Sequence, residues 1–380
     1  MLEFASAEEQ LSTQSTRFLK YAGQDILPMW VADMDVRSPA SVQAAVTARL
    51  QQGVYGYTKP SQALTELIVQ RSADCYDWHI SAEHIHFMSG VVAALNMACR
   101  GLLAPDEAAV TATPVYYPFL DAPGNQQREL RTFPVVQTEE GFRIPLDTLD
   151  EHCRGKAKLL MLCNPFNPLG RHLTRSELEG IVEVARRNDM IICSDEIHCD
   201  LLLDGQRHIP TATVSDWAAA NTVTLMAPSK TFNLAGFGGS LAIAQNPDLL
   251  EAFKAGGKGI HPNISFLSLT AMEAAYRDDS GWLPALLNHL SANRDFLMQE
   301  LNALRGVRVH PVEATYLAWI EVQGLGLNDA PAYFESYGLG MSPGGQFGDD
   351  GFMRLNFGCS RAVLEQAVDR FKTAVSARWR

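Results

Sequence analysis

The stretch Thr222–Gly236, TVTLMAPSKTFNLAG, places a β-branched apolar run directly before a turn of small residues that carries Ser229 and Lys230. The run Thr222–Met226 predicts a buried strand, and Ala227–Pro228–Ser229 ends it. Lys230 is therefore expected at the carboxyl end of a strand, where open α/β sheets bind their ligands. Taken alone, a Ser-Lys pair in this position is also compatible with a surface lysine in a polar loop.

The composition of the 380 residues limits the classes of protein that fit. With 47% apolar residues, the chain is large enough for two packed units. Its 31 basic and 43 acidic residues give a net charge of −12, which argues against nucleic acid or an anionic membrane as a partner. Because no apolar run is long enough to span a bilayer and MLEFASAEEQ lacks a signal pattern, we expect a cytoplasmic protein. Seven cysteines without a CxxC pair predict neither a disulfide framework nor a thiolate zinc site.

Two glycine-containing stretches are candidates for binding an anion or packing a turn. The segment His86–Arg100 sets Ser89–Gly90 directly before an Ala/Leu/Met-rich helical run. A helix N-terminus that follows glycine offers unpaired N–H groups to an anion, although an ordinary buried helix has the same pattern. The second stretch, GVYGYT at Gly53–Thr58, follows a helix predicted over Pro39–Gln52, and its tyrosines are typical of turn packing.

Two further buried strands are predicted to end at candidate side chains. Ala108–Thr113 runs into TPVYYPF, which contains Tyr116, an aromatic residue that would also suit a core. Lys158–Cys163 runs into NPFNPLG, where two Asn-Pro pairs indicate a turn that contains Asn167. In a parallel sheet, both turns would lie at the same edge as Lys230.

A third predicted strand, Met190–Ser194, runs into DEIHCD, which crowds carboxylates, a histidine and a cysteine into six residues. These residue types bind transition metals, so a metal site is one interpretation. The spacing fits no standard zinc pattern, and adjacent residues of an extended segment point to opposite faces. We therefore expect no metal, and we expect Glu196 and Asp200 to face solvent or a partner chain.

The last hundred residues predict a connecting helix and a second, smaller domain. Apolar residues at helical spacing predict a long helix over Trp282–Leu304. Ala314–Val322 and Gly351–Gly358 alternate like strands, and the second carries Arg354 in an otherwise apolar stretch. Such an arginine is commonly an ion-pair partner. The final stretch, Arg361–Arg380, predicts an amphipathic surface helix.

Taken together, these segments resemble the MalY/PatB-type cystathionine β-lyases, carbon–sulfur lyases among the class I/II aminotransferase-like enzymes that use pyridoxal 5'-phosphate (PLP). The resemblance covers nearly the whole chain and rests on MWVADMD, GVYGYT, TPVYYPF, NPFNP, SDEIH, SKTFNLAG, ATYLAWIE and RLNFGCSR. It implies the fold of PLP-dependent aminotransferases (fold type I). A large α/β domain with a mainly parallel mixed sheet would span about residues 45–280. A smaller α+β domain would combine residues 1–44 with 285–380.

The resemblance also implies a role for each candidate residue. Lys230 would bond PLP covalently, and Asp195 would keep its pyridine nitrogen protonated. Tyr116 would stack on the ring, and Asn167 would donate to the phenolic oxygen. The remaining cofactor contacts would be His198 near that oxygen, Ser229, the backbone of Gly90, Val91 and Val92, and Tyr57 from the neighbouring subunit of a homodimer. The substrate contacts would be Arg354 at the α-carboxylate, with Asp33 and Met34 toward the side chain.

Three positions depart from the pattern of these relatives. Ala227 stands where they often carry serine, and Phe166 stands where many carry histidine. Gly238 stands where many aminotransferases place an arginine that neutralises the cofactor phosphate. The phosphate charge would then be met by Ser229, Tyr57, the helix terminus and a cation such as Lys258.

The activity that the resemblance implies is α,β-elimination of L-cystathionine, or of related S-substituted cysteines or cystine. The products would be a thiol such as homocysteine, pyruvate and ammonia, which suits methionine biosynthesis. The matched motifs contain no second arginine for a dicarboxylic substrate, which favours a lyase over an aminotransferase. An aminotransferase would use the same residues and remains the alternative, and a PLP-fold protein with a regulatory binding role is a third hypothesis.

Overall fold

The computed structural model describes residues 2–138 and 141–380. The helices of this part of the chain are α1 Ala7–Ser12, α2 Thr16–Leu19, α3 Ala40–Gln51, α4 Gln62–Tyr76, α5 Val91–Leu102, α6 Pro118–Asn125, α7 Leu146–Cys153, α8 Arg175–Arg187, α9 Asp216–Asn221, α10 Pro247–Gly257, α11 Phe266–Tyr276, α12 Trp282–Asn302, α13 Ala330–Ser336 and α14 Arg361–Arg378. The strands are β1 Leu27–Pro28, β2 Ile85–Met88, β3 Ala108–Thr113, β4 Glu129–Pro134, β5 Val136–Thr138, β6 Gly141–Arg143, β7 Ala157–Cys163, β8 Ile191–Asp195, β9 Thr222–Met226, β10 Ser240–Ile243, β11 Arg308–Val309, β12 Leu317–Glu321, β13 Leu339–Gly340, β14 Ser342–Pro343 and β15 Phe352–Asn356.

A seven-stranded sheet in the order β2-β10-β9-β8-β7-β3-β4 forms the centre of the larger part. Strands β9, β8, β7, β3 and β4 pair in parallel, and β10 runs antiparallel to both of its neighbours. The five residues of β9 are all buried, as expected for a parallel strand that is covered by helices on both faces. The register pairs Cys163 with Asp195, and Asp195 with Leu225, so the turns after β7, β8 and β9 meet at one edge of the sheet.

Helix α5, whose first residues reach that edge, packs very closely against α10. The crossing is at Gly101 and Gly256, where a Cβ on Gly101 would lie 2.4 Å from the carbonyl oxygen of Ala252. Glycine is required here because a side chain would push the two helices apart. This close packing joins the C-terminal half of α5 to α10.

The smaller part is built on a four-stranded antiparallel sheet in the order β11-β12-β15-β14. Its core includes Met29, Met34 and Val36 from the N-terminal segment, and it also takes in Leu201 and Leu203 from the chain just after β8. The protein therefore has an α/β fold with a large, mainly parallel sheet and a smaller antiparallel sheet. On the basis of these separate cores, we propose the division into residues 45–280 and residues 1–44 with 285–380 as two domains.

Several local predictions are confirmed to within a few residues. The helix expected over Pro39–Gln52 is α3, and the connector expected over Trp282–Leu304 is α12. The strand around Arg354 is β15. Within the described residues, no helix combines the length and the apolar character needed to cross a membrane.

Candidate active site

A cavity of about 310 Å³ lies at the carboxyl ends of β7, β8 and β9. Parallel strands whose register is fixed bring side chains that are far apart in the sequence to this edge. The sequence-predicted residues that line the cavity are Lys230, Asp195, Asn167, His198, Tyr116, Ser229, Gly90, Val91 and Val92. The structure therefore brings together nine of the thirteen predicted site residues at one cavity.

Lys230 follows β9, and its amine reaches across the cavity to the N-terminal segment. Its Nζ donates a hydrogen bond to the carbonyl oxygen of Ala32 at 2.7 Å. Burial lowers the pKa of Lys230 to about 8, although nearby Asp33 opposes this change. A lowered pKa increases the fraction of neutral amine near neutral pH, which a nucleophile and base requires.

Asp195 ends β8 and is almost completely buried. Its Oδ1 accepts a hydrogen bond from the backbone N–H of Ile197 at 3.1 Å. Burial raises the pKa of Asp195 to about 7, and the neighbouring carboxylate of Glu196 adds to this increase. A buried carboxylate at a cavity wall is stabilised by a cationic partner, and the protonated ring nitrogen of PLP is such a partner.

Arg354, on β15, is buried and donates only to neutral oxygens. Its Nη1 donates to Asn167 Oδ1 at 2.9 Å, and its Nη2 donates to the carbonyl oxygen of Trp30 at 2.8 Å and to Ser342 Oγ at 3.2 Å. Its Nε has no hydrogen-bond partner in the described part of the chain. Burial lowers the pKa of Arg354 to about 10. A buried guanidinium with a free donor and neutral partners is suited to bind a carboxylate.

His198 lines the same cavity and is buried next to Tyr316. The two rings meet edge to face with their centroids 6.1 Å apart. Burial lowers the pKa of His198 to about 3, so the imidazole is neutral near neutral pH. Its Nδ1 is buried and has no partner among the described residues. An unpartnered ring nitrogen here fits a site that is completed by a polar ligand.

The N-terminus of α5 opens into the cavity directly after Ser89 and Gly90. Gly238 lies against this turn with φ +69°, and a Cβ there would be 2.8 Å from the carbonyl oxygen of Ser89. The conformation and the close contact exclude the arginine that many aminotransferases carry at this position. Lys258, the alternative cation, is exposed and does not line the cavity.

Asn233, three residues after Lys230, forms hydrogen bonds that hold the segment containing Ala32, Asp33 and Met34. The side chain of Asn233 accepts from the Met34 N–H at 3.0 Å and donates to the carbonyl oxygens of Met34 at 2.9 Å and Val36 at 2.7 Å. Asn233 has φ +56°, a conformation that asparagine adopts more readily than most residues. The segment is thus held where Ala32 can meet Lys230.

Neither Met34 nor Asp33 lines the cavity, although Ala32 next to them does. The side chain of Met34 is buried and packs in the core of the smaller part, and its contact with substrate stays a prediction. Asp33 is half-buried, with Oδ1 3.2 Å from Arg17 Nε, and burial raises its pKa. Arg354 also lies just behind the lining and reaches the cavity through Asn167.

The expectation that Glu196 and Asp200 face solvent or a partner is wrong. Glu196 is fully buried against His208, and Asp200 accepts from Arg71 at 2.6 Å and from Tyr76 at 2.5 Å. Their partners come from other segments, so the local sequence carried no signal for them. Tyr57, in contrast, is fully exposed and does not line the cavity of its own chain.

Comparisons with known proteins agree with this geometry. The family model for aminotransferase class I and II matches residues 31–371. The cystathionine beta-lyase PatB of Bacillus subtilis is 35% identical, and the match covers 99% of this chain and 100% of that protein. The crystal structure of OvoB has a TM-score of 0.94 at 43% identity over 96% of each chain. The PLP-bound C-S lyase from Staphylococcus hominis has a TM-score of 0.89 at 30% identity over 98% of each chain. The chain therefore belongs to the aminotransferase class I and II family.

Proposed function

We propose that this chain is a PLP-dependent carbon–sulfur β-lyase that acts on L-cystathionine and related S-substituted cysteines. The observation that carries the proposal is the placement of Lys230 and Asp195 at one cavity, with the Arg354–Asn167 pair beside them. Full-length similarity to PatB, a cystathionine beta-lyase, and to a PLP-bound C-S lyase supports the choice of reaction.

The residues around the cavity support binding of PLP through its aldehyde carbon, its ring and its phosphate. Lys230 would hold its aldehyde carbon, and Asp195 would hold its ring nitrogen. Asn167 has its Oδ1 engaged by Arg354, which leaves its Nδ2 to donate to the phenolic oxygen. The remaining contacts would be stacking by Tyr116, His198 near the phenolic oxygen, and Ser229 with the backbone of Gly90, Val91 and Val92 at the phosphate. When bound, PLP supplies an electron sink for the electrons left at the substrate Cα.

The chain's own residues would then bind the substrate and move its proton. Arg354 would bind the α-carboxylate through its unpartnered Nε and the Nη donors of its guanidinium. The neutral amine of Lys230 would take the Cα proton, and the carbonyl oxygen of Ala32 would hold the resulting ammonium. Departure of the β-thiolate as homocysteine, followed by hydrolysis, would leave pyruvate and ammonia. The homocysteine that is released would suit methionine biosynthesis.

The choice between elimination and transamination depends on the cavity beyond the reacting carbon. The described lining residues include Lys230 and a neutral His198 but no arginine, so a second carboxylate of a dicarboxylic amino acid has no guanidinium to bind. Asp33 instead lies near Lys230 and would disfavour an anionic side chain. Release of pyruvate and thiol from L-cystathionine without any keto acid tests the proposal. Turnover that requires a keto acid would indicate the aminotransferase instead.

We also propose that two copies of the chain form a homodimer in which Tyr57 serves the neighbouring active site. The loop around Tyr57 exposes apolar side chains, with Val54 71% and Tyr55 58% exposed. Exposed apolar residues in one loop are typical of an interaction surface.

All seven cysteines are free and six are buried, which suits a reducing compartment and supports a cytoplasmic location.

A further inference from the structure

Directly after Asp195, the carboxylate of Glu196 lies in a buried polar cluster on the side of β8 away from the cavity. Its Oε1 accepts from Ser194 Oγ at 2.8 Å and from the backbone N–H of Thr211 at 2.9 Å. Its Oε2 lies 2.6 Å from His208 Nε2. Glu196 has no exposed surface, and His208 is 5% exposed. This is the most completely enclosed acid–base contact among the described ion pairs.

The peptide that carries both acids is fixed between the two strands that carry other site residues. The backbone N–H of Glu196 donates to the carbonyl oxygen of Leu225 on β9 at 2.8 Å. The carbonyl oxygen of Asp195 accepts from the N–H of Asn164, just after β7, at 2.9 Å. The Asp195 side chain therefore projects from a peptide that is held by both neighbouring strands and, through the Glu196 side chain, by Ser194, Thr211 and His208.

Asp195 and Glu196 also interact through their charges. A carboxylate without solvent contact is strongly disfavoured as an isolated anion, and His208 is placed to compensate the charge of Glu196. Within the described residues, His208 is the one basic side chain that contacts Glu196. An uncompensated charge on Glu196 would make Asp195 hold a proton more tightly.

We propose that Glu196 and His208 are positioning residues: their buried contact compensates the charge of Glu196 and keeps Asp195 oriented toward the ring nitrogen of PLP. The inference rests on the role proposed above for Asp195. Neither residue lines the cavity, so the pair acts on the cofactor only through Asp195.

The substitution His208→Gln separates charge from hydrogen bonding, because glutamine keeps an N–H donor and carries no charge. Apoenzyme of the H208Q, E196Q and E196Q/H208Q variants would be titrated with PLP. The protonation of the bound cofactor would be read from the ¹⁵N NMR shift of PLP that is labelled at the ring nitrogen. The matched control is His79→Gln, because the side chain of His79 is 83% exposed.

The charge account predicts that H208Q raises the dissociation constant for PLP by ~10-fold, which corresponds to one pKa unit, and moves the ring ¹⁵N shift toward that of unprotonated pyridine. E196Q/H208Q should return both values to near those of the wild type, because the uncompensated charge is gone. E196Q and H79Q should change them little. If H208Q fails to fold while the double variant folds and binds PLP, the account is also supported.

Two results would overturn the inference. H208Q that binds PLP with the wild-type constant and ¹⁵N shift would show that the charge of His208 does not reach the cofactor. A double variant as weak as H208Q would show that His208 acts through packing alone. An unprotonated ring nitrogen in the wild-type holoenzyme would instead refute the role of Asp195 itself, whatever the variants do.

Discussion

Arg354 Nη1 donates a hydrogen bond to the amide oxygen of Asn167 at 2.9 Å. The residues lie 187 positions apart, on the turn after β7 and on β15 of the smaller sheet. Since the amide oxygen is engaged, the amide Nδ2 is left to donate toward the cavity. The group that would bind the substrate carboxylate is thus connected to the group that would bind the phenolic oxygen of the cofactor.

Arg354→Ala should raise KM for every amino acid tested, on the order of 100-fold, because two charge-assisted hydrogen bonds to the carboxylate are lost. The amount of bound PLP should stay close to that of the wild type, since Arg354 reaches the cofactor only through Asn167. Steady-state kinetics and the visible absorbance of the cofactor measure the two effects. Arg354→Lys should recover only part of KM, because lysine lacks the planar fork. A KM for R354A equal to that of the wild type would show that another residue binds the α-carboxylate of the substrate.

Asp195→Asn should alter how the stability of the apoenzyme depends on pH. The pKa of Asp195 is raised to about 7 by burial, so its neutral form is favoured in the folded chain. Its contribution to stability is full below the unfolded pKa of about 4 and is lost as pH rises through about 7. Asparagine does not ionise, so Tm of D195N minus Tm of the wild type should increase between these pH values. Added PLP should reduce this difference, and parallel curves for the two apoenzymes would contradict the buried carboxyl.

Gly238→Ala should weaken cofactor binding, because the new Cβ would lie 2.8 Å from the carbonyl oxygen of Ser89 in a conformation with φ +69°. The strain is expected to cost roughly 2–3 kcal/mol of stability. Gly236→Ala is the matched control, since a Cβ there meets nothing within 4 Å. Thermal unfolding and PLP titration of both apoenzymes test the difference. Equal effects from the two substitutions would show that the contact at Ser89 is unimportant.

Mixing Tyr57→Ala and Lys230→Ala chains should restore activity if Tyr57 serves the neighbouring site. A heterodimer then holds one site with both wild-type residues, so an equal mixture should reach about a quarter of the wild-type rate. The expected exchange of subunits can be followed with differently tagged chains. Exchange without any recovery of activity would place Tyr57 in the site of its own chain.

The parts of the site that follow strands could be predicted from the sequence because their signals are local. Lys230 and Asn167 were predicted at strand ends because each follows a buried apolar run that ends in a turn. Asp195 was predicted at a strand end because an apolar run precedes DEIHCD. The parallel register then brought these side chains to one edge of the sheet. The nearly whole-chain resemblance supplied their chemical roles.

The remaining features depend on contacts between distant segments, and no local pattern encodes them. Glu196 is buried because His208 and Thr211 supply its partners, and Met34 enters the second core because Asn233 holds its segment in place. The carbonyl oxygen of Ala32, which accepts from Lys230, belongs to the backbone and has no sequence signal at all. The contact between Gly238 and Ser89 likewise became visible only in three dimensions.

The β-elimination reaction is tested most directly by a single incubation of the purified holoenzyme with L-cystathionine in the absence of any keto acid. The β-lyase account predicts equal amounts of pyruvate, ammonia and free thiol, with no product from Lys230→Ala chains that lack covalently bound PLP. No pyruvate from cystathionine, together with consumption of an amino acid only when a keto acid is added, would contradict it.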